Sequence, residues 1–111
     1  MATKLLIGFC LMVRRQALER IGGMDEALFL GSDDLDLCWR LRLSGYKLLI
    51  ARDVYVQHVG GQSFSQADEG WVQEKLQEST RVLRAKLRQH YSPQPVPTST
   101  ELWGIPILPE G

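Results

Sequence analysis

The chain has 111 residues, 44% of them hydrophobic, which is enough for one compact domain and too few for two. Thirteen Lys and Arg balance thirteen Asp and Glu, so no net field draws the chain onto nucleic acid or an anionic membrane. No apolar run approaches the length of a bilayer span, and Leu5 to Val13 is too short and wrongly flanked for an anchor or a signal peptide, so a soluble, cytoplasmic protein is expected.

In chain order, Leu5 to Val13 is a continuous apolar run ending at Arg14-Arg15, the pattern of a strand covered on both faces, with Gly8 allowing a second backbone to come close. Gln16 to Ile21 reads as a short helix stopped by Gly22-Gly23, after which the chain turns through Met24-Asp25-Glu26. Gly31 to Gly45, GSDDLDLCWRLRLSG, predicts a helix capped by Ser32 or Asp33 and terminated by Gly45. At about 100° per residue Asp34 aligns with Cys38, Leu41 and Gly45 as an inward stripe, whereas Asp36 is expected to point away, near Arg40 and Leu43. Asp36 and Arg40 stand at i and i+4, an ion pair that supports a helix by about 0.2 to 0.5 kcal/mol. Cys10 and Cys38 lie in apolar stretches without a CxxC partner and are expected to be buried free thiols.

Tyr46 to Ala51 follows as a short strand, then a turn at Arg52-Asp53, then Val54 to Val59, whose alternation puts His58 on the side of Val54 and Val56 just before Gly60-Gly61. Gln66 to about Tyr91 predicts an amphipathic helix with Val72, Leu76, Leu83 and Leu87 as its apolar stripe and Lys86, Arg88 and His90 near its C-terminal end. All five prolines fall after Tyr91. The chain thus divides into a domain over 1–91 and a Pro-rich tail over 92–111, whose Leu102, Trp103, Ile105, Ile107 and Leu108 should dock on the domain or on a second chain. The fold class is α/β or α+β: a small mixed sheet of the three strands packed by the two longer helices.

From Gly8 to Phe64 the motifs come in a fixed order: an apolar strand ending in Arg-Arg, a short helix, Gly-Gly-x-Asp-Glu, the acidic cluster Asp-Asp-x-Asp-Leu-Cys-x-Arg, Gly-Tyr, and a strand ending in His. In this order they resemble the acceptor-side, C-terminal half of the family-two glycosyltransferases of GT-A fold. The resemblance implies inverting transfer of a sugar from a nucleotide-sugar donor to a hydroxyl acceptor, whether glycan, lipid-linked or protein. Asp34 matches that family's catalytic base, and a positioned carboxylate ionised at neutral pH is suited to taking the acceptor proton. Asp33, in place of a more usual Glu, and Asp36 complete the acidic motif. The family's metal pattern suggests His58 as a late ligand to Mn²⁺ or Mg²⁺ in the complete enzyme.

The sequence departs from the family in Met24, where Phe is more usual, and in lacking Gln-x-x-Arg-Trp, which favours single-sugar transfer. No Gly-rich phosphate loop and no separate Asp-x-Asp precede Leu5, so the nucleotide-binding half is expected to be missing, the fragment inactive alone, and tight metal binding absent from it. An uncovered first strand and its apolar surface should then drive homo-oligomerisation, through the Gln66 to Tyr91 helix and the Trp103 tail, and the full-length enzyme can sit peripherally on a membrane. Other readings of the same residues stand beside this one. The three aspartates can simply charge a helix N-terminus, His58 can be a hydrogen-bonded core histidine, and Trp39 and Trp71 can serve core or interface. Arg14, Arg15, Arg40 and Arg42 can be solvated or ion-paired. Two further functional classes are a noncatalytic interaction module descended from such an enzyme and a small metal-dependent hydrolase using Asp33, Asp34, Asp36 and His58.

Overall fold

The computed structural model of the chain describes residues 1–6, 10–28, 32–57 and 69–108. Its elements run β1 (Ala2–Thr3), α1 (Arg15–Arg20), α2 (Asp33–Leu43), β2 (Leu48–Leu49), α3 (Glu69–Tyr91) and α4 (Ser99–Trp103). The fold is therefore mixed α and β, with a sheet of two strands among the described residues. β1 and β2 pair antiparallel, with Ala2 opposite Leu49 and Thr3 opposite Leu48.

The helices end where local chemistry stops them. After α1 the Gly22 and Gly23 amides turn back onto the Glu19 and Leu18 carbonyls, both glycines having positive φ. After α2 the chain turns at Gly45, φ 90°, whose amide reaches the Arg42 carbonyl. At the start of α2 Ser32 occupies the cap position, but with φ 64° and without a side-chain capping bond. The tail forms a helix of its own because Thr98 and Glu101 make a reciprocal capping box ahead of Leu102 and Trp103.

Two apolar clusters share α2. Leu35 and Trp39 face Leu28, Leu83, Leu87, Leu102 and Trp103, joining α2 to α3 and α4. Leu37, Cys38 and Leu41 face Ala17 and Leu48, with Leu6, Leu11 and Val13 partly buried alongside. The two indoles in the first cluster have their N–H groups satisfied: Trp39 Nε1 donates to Tyr91 Oη at 3.0 Å and Trp103 Nε1 to the Leu35 carbonyl at 2.9 Å. Trp71, by contrast, lies at the start of α3 and is 38% exposed.

Several expectations change. The described residues of Leu5 to Val13 form no strand. The partner strand pairs with Ala2 and Thr3 instead, and Leu5 and Leu6 pack their side chains on α2. Val54 to Gln57 form no strand either, and Val54 and Tyr55 are 64% and 87% exposed, because an alternating pattern gains nothing without a neighbour to pair with. Among the described residues the sheet is consequently antiparallel and two-stranded rather than mixed and three-stranded. Cys38 is buried as expected, but Cys10 is exposed; both thiols are free. The tail docks on its own domain, and Trp103, only 2% exposed, is spent in that core and is not available to a second chain. Gly8, Gly31 and His58 lie outside the described residues.

Candidate functional site

The candidate acids occupy the first turn of α2, where three aspartates meet the positive end of the helix dipole. Their side chains then go to different environments. Asp33 and Asp34 are half-buried, whereas Asp36 is 1% exposed. The helical-wheel expectation for Asp36 is thereby overturned, because α2 is covered on several faces at once.

What makes burial of Asp36 possible is opposite charge from two side chains, Arg40 on α2 and Lys86 on α3. Arg40 Nε donates to Asp36 Oδ2 at 2.8 Å, and Lys86 Nζ, arriving from α3, donates to Asp36 Oδ1 at 2.5 Å. The same ammonium reaches Asp25 Oδ2 at 2.8 Å, and Arg40 Nη1 donates to the Ile21 carbonyl at 2.9 Å. Lys86 and Arg40 therefore tie the α1 end, the Gly-Gly-Met-Asp turn, α2 and α3 together through one carboxylate. One guanidinium nitrogen, Arg40 Nη2, is buried without a hydrogen-bond partner among the described residues. The Lys86 hydrogen bond, helped by the Ala27 amide, holds the Asp25 carboxyl below its ordinary value of 3.8.

Asp34 is placed differently. It lies one turn from Cys38, whose Sγ sits between the Leu6 amide and carbonyl. Burial pushes the Cys38 thiol above its ordinary value of 9.0, and the Asp34 charge adds to that rise. Neither of the two concavities described, one beside the tail and one beside Leu11 to Arg14, has Asp33 or Asp34 in its walls. Among the described residues no three His, Cys, Asp or Glu side chains come together as a metal site. Two cations on Asp36 would further oppose a divalent ion there.

The candidate residues thus separate into Asp33 and Asp34, which stay half-buried at the helix start, Asp36, which is locked in an ion cluster, and His58, outside the described residues. Sequence reasoning missed Asp25 and Lys86 as members of this region. The available signal was Lys86 itself, one helical step from Leu83 and Leu87 on the buried side of α3, where an ammonium requires a counter-charge.

The sequence profile described as Glycosyl transferase family 21 matches residues 1–105. The chain belongs to glycosyl transferase family 21. The motif order in the sequence resembles family two, so the coarser class, glycosyltransferase, is what both share. This family 21 chain is also similar to the N-acetylglucosaminyl-diphospho-decaprenol L-rhamnosyltransferases of two Mycobacterium tuberculosis strains, CDC 1551 / Oshkosh and ATCC 25618 / H37Rv. Each is 40% identical over 53 residues, covering 48% of this chain and 17% of the relative, so the match spans less than a fifth of those enzymes. No solved structure matches this family 21 chain.

Proposed function

We propose that this family 21 chain forms part of an inverting enzyme of GT-A type, moving a sugar from a nucleotide-diphosphate donor to an acceptor hydroxyl, with Asp34 as the base. The observation that carries the assignment within the acidic motif is the fate of Asp36. Its carboxylate is 1% exposed and each oxygen is held by a cation, Lys86 on one and Arg40 on the other, so an incoming hydroxyl has no approach to it. Asp33 and Asp34 are both half-buried on the same helical turn, and the family-two resemblance is what selects Asp34 of the two. In the proposed step the acceptor oxygen forms a bond to the anomeric carbon and passes its proton to the Asp34 carboxylate. The bond from that carbon to the donor phosphate breaks, and the nucleoside diphosphate leaves with the electron pair.

The described residues do not assemble a site for Mn²⁺ or Mg²⁺, and a role for His58 rests on the family-two resemblance alone. By likeness to relatives named for action on a diphospho-decaprenol acceptor, the acceptor proposed here is a lipid-linked glycan.

In the full-length enzyme, Asp34→Asn is expected to lower transfer by at least about 10² to 10⁴-fold, the usual contribution of a general base, while leaving the urea midpoint near that of the parent. Asp36→Asn is expected to do the reverse, losing stability first. Undiminished turnover in Asp34→Asn removes the base assignment.

A further inference from the structure

The side of α3 that faces away from the domain carries a charge pattern of its own. The buried residues of this helix, Ser79, Leu83 and Leu87, lie on one side of it. On the opposite side, at helical spacings of three and four, stand Trp71, Glu74, Glu78, Arg81, Ala85 and Arg88, every one exposed. The acids of this stripe fall in its N-terminal half and the cations in its C-terminal half. The helix dipole does not account for that separation, because its influence fades within the first and last turns, whereas Glu78 and Arg81 lie in the middle of 23 residues. Partners within the chain do not account for it either. Glu74, Arg81 and Arg88 make no ion pair with a described residue, and Glu78 has an exposed contact to Lys75 at 3.5 Å. Glu74 and Glu78, one turn apart, moreover repel each other within a single chain.

A second copy of the same helix, laid antiparallel, answers each of these charges. With a two-fold axis passing between Ser79 and Thr80, Glu78 meets the second copy's Arg81, and by symmetry the same pair forms a second time. Glu74 lies against the second copy's Ala85, a small residue that leaves room for a carboxylate to reach the guanidinium groups on either side of it. The exposed Trp71 ring lies against the second copy's Arg88, a cation on an aromatic face. Packed helices have axes about 8 to 10 Å apart, close enough for Glu and Arg side chains to meet as charge-assisted hydrogen bonds. Other alignments are penalised. Sliding the pair by seven residues one way sets Glu74 against the second copy's Glu78, and sliding it the other way carries Trp71 past the end of the opposing helix.

We infer that this chain forms a two-fold dimer in which two copies of α3 pack antiparallel through this stripe, with Glu78 and Arg81 at its centre. None of the acidic-motif aspartates takes part, so the inference stands or falls independently of the sugar-transfer reading. One helix pair is at the small end of specific interfaces, below roughly 1,200 Å² in total, so a dissociation constant above about 1 μM is expected.

Sedimentation equilibrium of the 111-residue chain across the micromolar range should show a monomer–dimer equilibrium that weakens as salt is raised. Glu78→Arg and Arg81→Glu each set like charges face to face at both central pairs, and either change alone should weaken the dimer at least about tenfold. In an equimolar mixture of these two variants opposite charges face each other again, and association should return to within about threefold of the parent. Both positions are exposed, so an unchanged circular dichroism spectrum is expected. If a reversal disturbs the fold, Glu78→Gln decides instead, since deleting this charge weakens a dimer of this geometry and leaves one built on another face unaffected. The inference is overturned if the parent chain stays monomeric throughout, if the dimer is indifferent to these substitutions, or if the mixture of folded variants fails to associate.

Discussion

Replacing Lys86 by Met removes the cation that reaches both Asp25 and Asp36 while keeping the length and packing of the side chain. Breaking a buried ion pair by deleting one partner costs about 3 to 5 kcal/mol when the remaining charge is stranded. Two features of this site lower that figure: Asp36 keeps the Arg40 bond at 2.8 Å, and the Lys86 side chain is 26% exposed. Asp25, itself 28% exposed, adds no more than a surface pair, about 0 to 1 kcal/mol. The expected loss is therefore about 2 to 3 kcal/mol, a large share of the roughly 5 to 15 kcal/mol that holds a domain together. Urea unfolding followed by circular dichroism should show it as a lower midpoint at unchanged slope. Asp25→Asn should lose about 1 kcal/mol or less, and a double-mutant cycle between Lys86→Met and Asp36→Asn should give a coupling of about 1.5 kcal/mol or more. A Lys86→Met variant within about 0.5 kcal/mol of the parent, the ordinary scatter of surface substitutions, would refute the account of how Asp36 is buried.

Trp103→Ala should cost about 3 to 5 kcal/mol, since it empties the first cluster and leaves the Leu35 carbonyl without its indole donor; a cost near zero by the same assay would mean the tail is not part of the core. The depressed Asp25 carboxyl supplies stability that is present above its unfolded value near 3.8 and is lost as pH falls through the lower folded value. The gap in urea midpoint between the parent and Asp25→Asn should accordingly be flat from neutral pH to about pH 5 and close below it; a gap that widens in acid contradicts the Lys86 contact. Iodoacetamide at pH 8 should label exposed Cys10 quickly and Cys38 only on unfolding, as burial keeps the Cys38 thiol protonated, and mass spectrometry showing two equal rates would contradict its placement.

The parts of this fold that were legible in the sequence are those set by neighbours along the chain. Gly22-Gly23 and Gly45 end their helices as expected, and Tyr91 closes α3 just before the prolines. The docking of Leu102 and Trp103 was legible too, because large apolar side chains in a Pro-rich segment need somewhere to go. Strands were legible only in part: Tyr46 to Ala51 contains β2, whereas the described residues of Leu5 to Val13 and of Val54 to Val59 carry suitable side chains but form no strand, because a strand exists only through the backbone that pairs with it. Asp36 was misplaced for a related reason. Its angular position on α2 was right, but which faces of that helix are covered is decided by α3, whose Lys86 lies 50 residues away. At the site, spacing put Asp34 on the inward stripe and the family resemblance gave it the base role, whereas in the structure Asp33 and Asp34 are both half-buried.

The position of α2 between both clusters has a consequence for how freely its sequence can change. Substitution is ordinarily absorbed on the water-facing side of a helix, yet from Leu35 to Leu41 this one has six side chains buried and a seventh, Arg40, committed to a carbonyl and a carboxylate. Drift should therefore be confined to its two ends. A scanning library of this stretch should show a nearly unbroken block of intolerance, in place of the three-to-four-residue rhythm that amphipathic helices display.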